Sequence, residues 1–127
     1  MRRTVLPIAI LCCLPIAARA GRVEDAMKKL DPEERAHQAC SIKGIETLRR
    51  DKRLPHADRV KTRVAGAAVL DGTVVTGKGG AVHAKGHWYG LKFTCTVTSD
   101  RMKAVSFTYE LGQEIPEAKW DDYGLWR

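Results

Sequence analysis

These 127 residues have room for one domain with one modest core and not for several. The formal charge of +7 is compatible with acidic partners, but a charge of this size also simply keeps a small domain soluble. Charge therefore selects no function class.

The first twenty residues read as a leader rather than as part of the fold. Arg2 and Arg3 give a positive start, and Val5 to Ala18 is an uncharged, mostly apolar run. Ala18-Arg19-Ala20 then places small residues at the two positions that signal peptidase reads, so a secretory signal peptide with cleavage before Gly21 is expected. The apolar run is short of the about 20 residues needed to span a bilayer. Cys12 and Cys13 lack the Leu-x-small context that lipidation requires. Removing twenty residues from 127 leaves 107, expected to form a single domain over 21–127. Three bases leave with the leader, so 19 bases face 15 acids and the charge falls to +4. No second hydrophobic segment follows, and the expected location is periplasmic or secreted.

Gly21 to Lys29 is polar and loosely helical in pattern. Leu30-Asp31-Pro32-Glu33-Glu34 then spells a helix start, with Asp31 as cap, Pro32 at the first turn and Glu34 as capping-box partner. The helix is expected to run from Pro32 to about Arg50. Its apolar side is imperfect, with Ala36, Cys40 and Thr47 together and Ile42 and Ile45 well round from them. Gly44 weakens a helix interior by about 1 kcal/mol relative to Ala, which marks a place of close packing. Arg49 to Arg63 holds seven Lys/Arg against Asp51 and Asp58, read as a frayed basic helix end and loop, with an anionic-partner surface as the alternative.

Strand patterns occupy the rest. Val60, Thr62 and Val64 alternate with Lys61 and Arg63. Asp71-Gly72 is a hairpin turn between Val69-Leu70 and Val74-Val75. Gly77-Lys78-Gly79-Gly80 reads as a flexible break, without the spacing of a phosphate loop. Ala81 to Lys85 is a strand, Lys85-Gly86 a turn, and Tyr89 to Val97 the clearest strand of the chain. In that strand Tyr89, Leu91, Phe93, Cys95 and Val97 make an apolar face, opposite Trp88, Gly90, Lys92, Thr94 and Thr96. Thr98 to Arg101 is a polar turn. Val105, Phe107, Tyr109 and Leu111 alternate in a last strand, expected to pair antiparallel with the previous one and to close at Gly112. The segment through Trp120, Tyr123 and Trp126 is expected to form one helical turn and fold its aromatics back over the core or the sheet edge.

Cys40 and Cys95 are the two cysteines left after the leader, and an even count in an oxidising compartment reads as a disulfide from helix to central strand. Zinc held by these cysteines with His37, His83 or His87 is the weaker alternative, because no tight Cys-x-x-Cys knuckle is present. No nucleophile elbow or His-Glu-x-x-His motif appears, and Asp121-Asp122 reads as a solvated edge, so no catalytic residue is assigned. Trp88 is turned away from the apolar face. It either packs under another segment or, with Lys85 and Lys92, makes a candidate binding surface, with Trp120, Tyr123, Trp126 and Lys119 as further stacking and cationic groups.

Several of these residues together resemble a known family. They are Leu30-Asp31-Pro32-x-x-Arg35, Gln38-x-Cys40, Lys85-Gly86-x-Trp88-Tyr89-x-Leu91, Ser106-Phe107-x-Tyr109, Gly112, Ile115-Pro116, Trp120 and Tyr123-Gly124-Leu125-Trp126. The pattern is similar to the alphaproteobacterial domain-of-unknown-function 930 family over nearly all of the chain after the leader. The resemblance implies a small exported protein, found chiefly among rhizobia-like bacteria, with no assigned activity and no site residues to carry over. The expectation is an α+β domain with a capped N-terminal helix on a small antiparallel sheet, stapled by Cys40–Cys95. The expected role is a non-enzymatic binding or envelope-associated module without cofactor or metal. Its partner would be an anionic envelope component or another periplasmic protein. A small protein-directed inhibitor is the alternative, and a hydrolase or metal-handling protein the least expected.

Overall fold

The computed structural model describes residues 17–127, so the expected leader lies outside the described residues except for its last four. The helical pattern after Gly21 is real: α1 spans Ala17–Lys28. A three-residue corner follows, and α2 spans Pro32–Leu48 with Asp31 at its N-cap and Pro32 in its first turn. The capping itself differs from expectation. The Asp31 side chain makes no cap hydrogen bond, and Glu34 turns outward to pair with Arg63 at 2.7 Å. The corner is held instead by Arg35. Its Nε donates to the Met27 carbonyl at 3.0 Å, and its Nη2 to the Lys28 and Leu30 carbonyls at 3.1 and 3.0 Å. These are carbonyls of the last turn of α1 and of the corner after it, where intrahelical partners run out, and one guanidinium reaches all three. Its Nη1 also reaches the Asp100 carbonyl at 3.1 Å, tying the corner to a distant turn.

The basic stretch after α2 is folded rather than frayed. Leu54 is fully buried, Arg49 Nε donates to the Ala57 carbonyl at 2.9 Å, and Arg53 clasps Asp51 at 2.7 Å. The Tyr109 hydroxyl donates to the same Asp51 carboxylate at 2.7 Å. The Arg53 side chain and N–H, then Tyr109, hold the Asp51 carboxyl well below the usual carboxylate range.

Five antiparallel strands follow: β1 (Ala57–Lys61), β2 (Ala68–Asp71), β3 (Val74–Ala84), β4 (His87–Val97) and β5 (Ala104–Glu114). The order is β1-β3-β4-β5, with β2 also paired to β3. Tight turns set the register. Gly72, at φ 59, opens the turn between Asp71 and Val74, which pair directly. Lys85 and Gly86 both have positive φ between the paired Ala84 and His87, the conformation that a two-residue type I′ hairpin requires.

Four strand expectations are corrected. Gly77-Lys78-Gly79-Gly80 is no break: it lies inside the continuous β3, at a register shift between Gly77 and Gly80. A Cβ on Gly79 would sit 2.6 Å from the backbone of Ala65 and Gly66, and the Gly79 carbonyl takes the N–H of Val64 and of Ala65, each at 2.9 Å. Glycine is there because another stretch of backbone crosses the strand. Val64 consequently belongs to that crossing loop and not to β1. β5 runs past Gly112 to Glu114. Val105 stands in a bulge and is exposed, and Ala104 takes its place against the core.

α2 lies across one face of the sheet. Ala36, Cys40, Gly44 and Leu48, each four residues after the last, form its buried line. A Cβ on Gly44 would come within 3.1 Å of the Phe107 ring on β5 and 3.3 Å of Val60 on β1. Both edge strands thus reach the helix at one point, so the sheet curves around it. Phe93 and Phe107 stack at 5.3 Å in this core. Cys40 and Cys95 are bonded across it, with Cα atoms 5.9 Å apart, so the helix-to-strand staple is present.

Candidate ligand-binding surface

The other face of the sheet, away from α2, is where the outward residues of β4 lie. Its two halves differ. After β5, the chain makes a short 3-10 turn (Glu117–Lys119) and α3 (Trp120–Tyr123), and recrosses the sheet. The Ile115 N–H donates to the Trp88 carbonyl at 2.7 Å, and the Trp88 indole N–H donates to the Trp126 carbonyl at 2.8 Å. Lys61 on β1 donates to the Gly124 carbonyl at 2.8 Å. Gly124 has φ 64, the left-handed position that ends α3 and turns Leu125 down onto the sheet. Ala81, Trp88, Trp120 and Leu125 form a second small core beneath this segment, with Val64, Ile115 and Tyr123 packed against it.

Trp88 is therefore 0% exposed, and the candidate surface of Lys85, Trp88 and Lys92 loses its ring. Alternation correctly turned Trp88 away from the helix. What covers it is chain some thirty residues later, a long-range contact that strand periodicity does not carry. Lys85 is exposed in the hairpin turn, and Lys92 is exposed further along β4 on the open half of the face. The two lysines are not part of one cluster with an aromatic between them. Of the other aromatics, Trp120 is buried, Tyr123 is half-buried and Trp126 is 53% exposed.

The open half is polar and ordered by register. Thr76, Thr94 and Thr108 pair across β3, β4 and β5, and Lys92 stands opposite Glu110. Together with Lys78 they line a shallow depression of about 420 Å³. Neither Lys78 nor Lys92 has a carboxylate within 4.0 Å among the described residues. Beside it, Ala65, Gly66, Ala67 and Val69 line a second recess of about 600 Å³ that shares Thr76 and Lys78. Val69 is 61% exposed there.

The histidines are placed apart. His83 lies on the outer face, where its Nδ1 bonds Asp58 of β1 and its ring meets Trp88 edge-on at 5.1 Å. Its Nε2 is buried and has no partner among the described residues, and the His83–Asp58 pair fastens β1 to β3. His37 lies on the helix side and shares a 2.9 Å hydrogen bond with Thr62. His87 pairs with Glu114 at the surface. With the cysteines bonded to each other, the two cysteines and three histidines weighed for zinc do not converge. Six of the seven bases between Arg49 and Arg63 have partners within the protein: Arg49, Arg50, Arg53 and Arg59 nearby in sequence, and Lys61 and Arg63 at Gly124 and Glu34. Sequence reasoning held Arg35 only as part of the family pattern and missed its role at the corner, and it missed the pairing of Asp58 with His83. Parity along β3 places His83 on the same face as Ala81, but nothing local names Asp58 as its partner.

Fold and surface together define a small disulfide-linked α+β module, with a curved sheet around one helix and an outer face half-covered by its own chain. The chain belongs to the family described as Domain of Unknown Function (DUF930), whose family model matches residues 27–125. Comparison with curated proteins gave no match, and comparison with solved structures gave none either. No described helix is long and apolar enough to cross a membrane.

Proposed function

We propose that this protein is an exported, non-enzymatic binding module of the cell envelope or the extracellular space, and that it uses the open half of the outer sheet face. The observation that carries the reading is the row Thr76–Thr94–Thr108 flanked by Lys78 and Lys92. The three threonines stand at paired backbone positions on three strands, with the two lysines beside them on β3 and β4, and the Cys40–Cys95 bond anchors β4 from behind. A rigid polar strip of this kind suits an anionic envelope component presenting several acceptors in line. The leader-like start of the chain and the disulfide support export.

The test has two arms. Cell fractionation with mass measurement of the recovered protein should find a chain starting at Gly21 outside the cytoplasm; a full-length cytoplasmic product would overturn export. Isolated envelope should retain the purified protein at low salt and release it at high salt, and Lys78→Ala with Lys92→Ala should abolish retention. Salt-insensitive retention, or retention by the double variant, would overturn the use of this face.

A second reading, a small protein-directed inhibitor, draws on the exposed Val69 beside Ala65, Gly66 and Ala67. It requires one defined protein to be crosslinked at Val69, with the crosslink lost in Val69→Asp.

A further inference from the structure

We propose that Trp126, with Arg59 and Lys61 against its ring, is a subsite for an acidic sugar residue of a linear glycan. The site lies over β1, on the covered half of the outer face, and does not depend on the open half.

Short segments outside strands and long helices commonly fray, but this one is fixed. The Trp126 carbonyl is held by the buried Trp88 indole, and Leu125 is buried with its N–H on the Trp120 carbonyl at 2.8 Å. Lys61 holds the preceding Gly124 carbonyl. Trp88 and Trp120 are both buried, yet Trp126 keeps about half its surface exposed. The Trp126 ring itself lies edge-on to the buried Trp88 ring at 6.3 Å. An indole so placed on a held backbone and still half exposed is a preorganised contact: a ligand that stacks on it has less to order first.

The surroundings select the ligand. The Lys61 ammonium lies 4.3 Å from the ring centroid and the Arg59 guanidinium 5.4 Å. Two cations already stand over the ring, so a further cation is disfavoured as ligand, and the exposed half of the indole is the part left for an apolar contact. Arg59 stands 3.7 Å from Asp58, but Lys61 has no carboxylate within 4.0 Å among the described residues. A flat C–H face for the indole and a carboxylate for Lys61 and Arg59 describe a uronate ring. Single-stranded nucleic acid fits less well, because it stacks successive bases on successive rings, and the neighbouring Trp88 and Trp120 are sealed.

The test is titration of the full mature chain with an alginate hexamer, with maltohexaose as the neutral match and a thymidine oligomer as competitor class. Binding should shield the exposed indole from acrylamide quenching. Trp126→Ala and Lys61→Gln should each weaken binding about tenfold, Trp126→Phe should retain most of it, and maltohexaose should bind at least about tenfold more weakly. Trp126→Ala keeps the carbonyl that Trp88 uses, and near-ultraviolet circular dichroism checks that the fold is kept. Should that variant unfold, the shielding of the wild-type indole and the Lys61→Gln titration decide. No binding of alginate, binding by Trp126→Ala within about twofold of wild type, or tighter binding of the thymidine oligomer would each overturn the proposal. Lys78→Ala with Lys92→Ala should leave this titration unchanged, which separates its failure from failure of the open-face reading.

Discussion

The two ends of β4 carry the same alternating pattern and meet opposite fates. At Trp88 the outward position is sealed beneath residues 115–126, while at Lys92, Thr94 and Thr96 it stays open or only half-covered. Behind both ends the inward positions Leu91, Phe93 and Cys95 pack against the same helix-side core. A strand's alternation thus fixes which residues share a face, and says nothing about whether that face is covered. Coverage here comes from a segment that crosses back through Ile115, Trp120, Gly124 and Leu125, anchored by β1 through Lys61. The covered half is part of the fold, and the open half is what the fold leaves over.

The largest expected effect falls on the covered half. Trp88→Ala removes the largest fully buried side chain, together with the indole N–H that holds the Trp126 carbonyl. Such a truncation costs roughly 3–5 kcal/mol, seen as a lower denaturant midpoint, and should free residues 115–126 to protease. A Trp88→Ala variant within about 1 kcal/mol of wild type would mean that the covered half is not part of the core. Next comes the staple. Cys40→Ala with Cys95→Ala opens a constraint spanning 55 residues, which chain entropy values at about 4 kcal/mol. Because Cys95 precedes Thr96 and follows Thr94, hydrogen exchange should rise along the open half of β4 as well as in α2. Exchange confined to α2 would show that the open half is rigid without the bond.

What could be read from sequence divides along the same line. Local signals located the Pro32 start of α2, both hairpin turns, the inward face of β4 and the cysteine pair, because each depends on neighbouring residues or on a count. Gly77 to Gly80 misled for a physical reason: glycine serves a flexible break and a crowded strand crossing equally well, and only the approach of Ala65 and Gly66 separates them. Trp88 misled because its cover lies across a loop and a strand. Asp31 and Glu34 occupy the positions of a capping box without its hydrogen bonds, since Arg63 on a distant strand takes Glu34. The candidate site was therefore legible only as a face, and the separation of its lysines from its ring had to come from the tertiary contacts.

A smaller effect should come from acid, through β1. His37 on the helix side and His83 on the outer face each bond β1 or the residue just after it, through Thr62 and Asp58. Burial, and then Arg63, lowers the His37 pKa, against partial opposition from Glu34 and Glu33. The folded protein therefore favours the neutral ring. Its contribution is complete above the unfolded value near 6.5 and is lost as pH falls through that value toward the lower folded one. Lys61 and Arg59 of β1 hold the covering segment, so between pH 7.5 and 5 hydrogen-exchange protection, taken relative to the intrinsic rate at each pH, should fall first at residues 115–126 and stay unchanged at 92–96. Equal response at both stretches would break the link between β1 and the cover. In His37→Gln the part of the pH slope of stability that belongs to this ring should disappear.

The smallest effect on stability should come from Lys78→Ala with Lys92→Ala. Both side chains are exposed, and neither has a carboxylate within 4.0 Å among the described residues. Both lie at the register shift of β3 with β4, where Lys92 is paired through its backbone with Glu110 of β5. Exposed substitutions of this kind usually shift stability by less than about 0.5 kcal/mol. A loss approaching that of Trp88→Ala would make the lysines part of the fold and remove the reason for assigning them a ligand. An unchanged melting temperature with lost envelope retention has the opposite meaning. The lysines would then stand on paired strands, stapled from behind by Cys95, while contributing nothing to holding those strands together. Residues that the fold positions but does not need are the ones that remain available to a partner, and on β4 that condition holds for Lys92 and fails for Trp88.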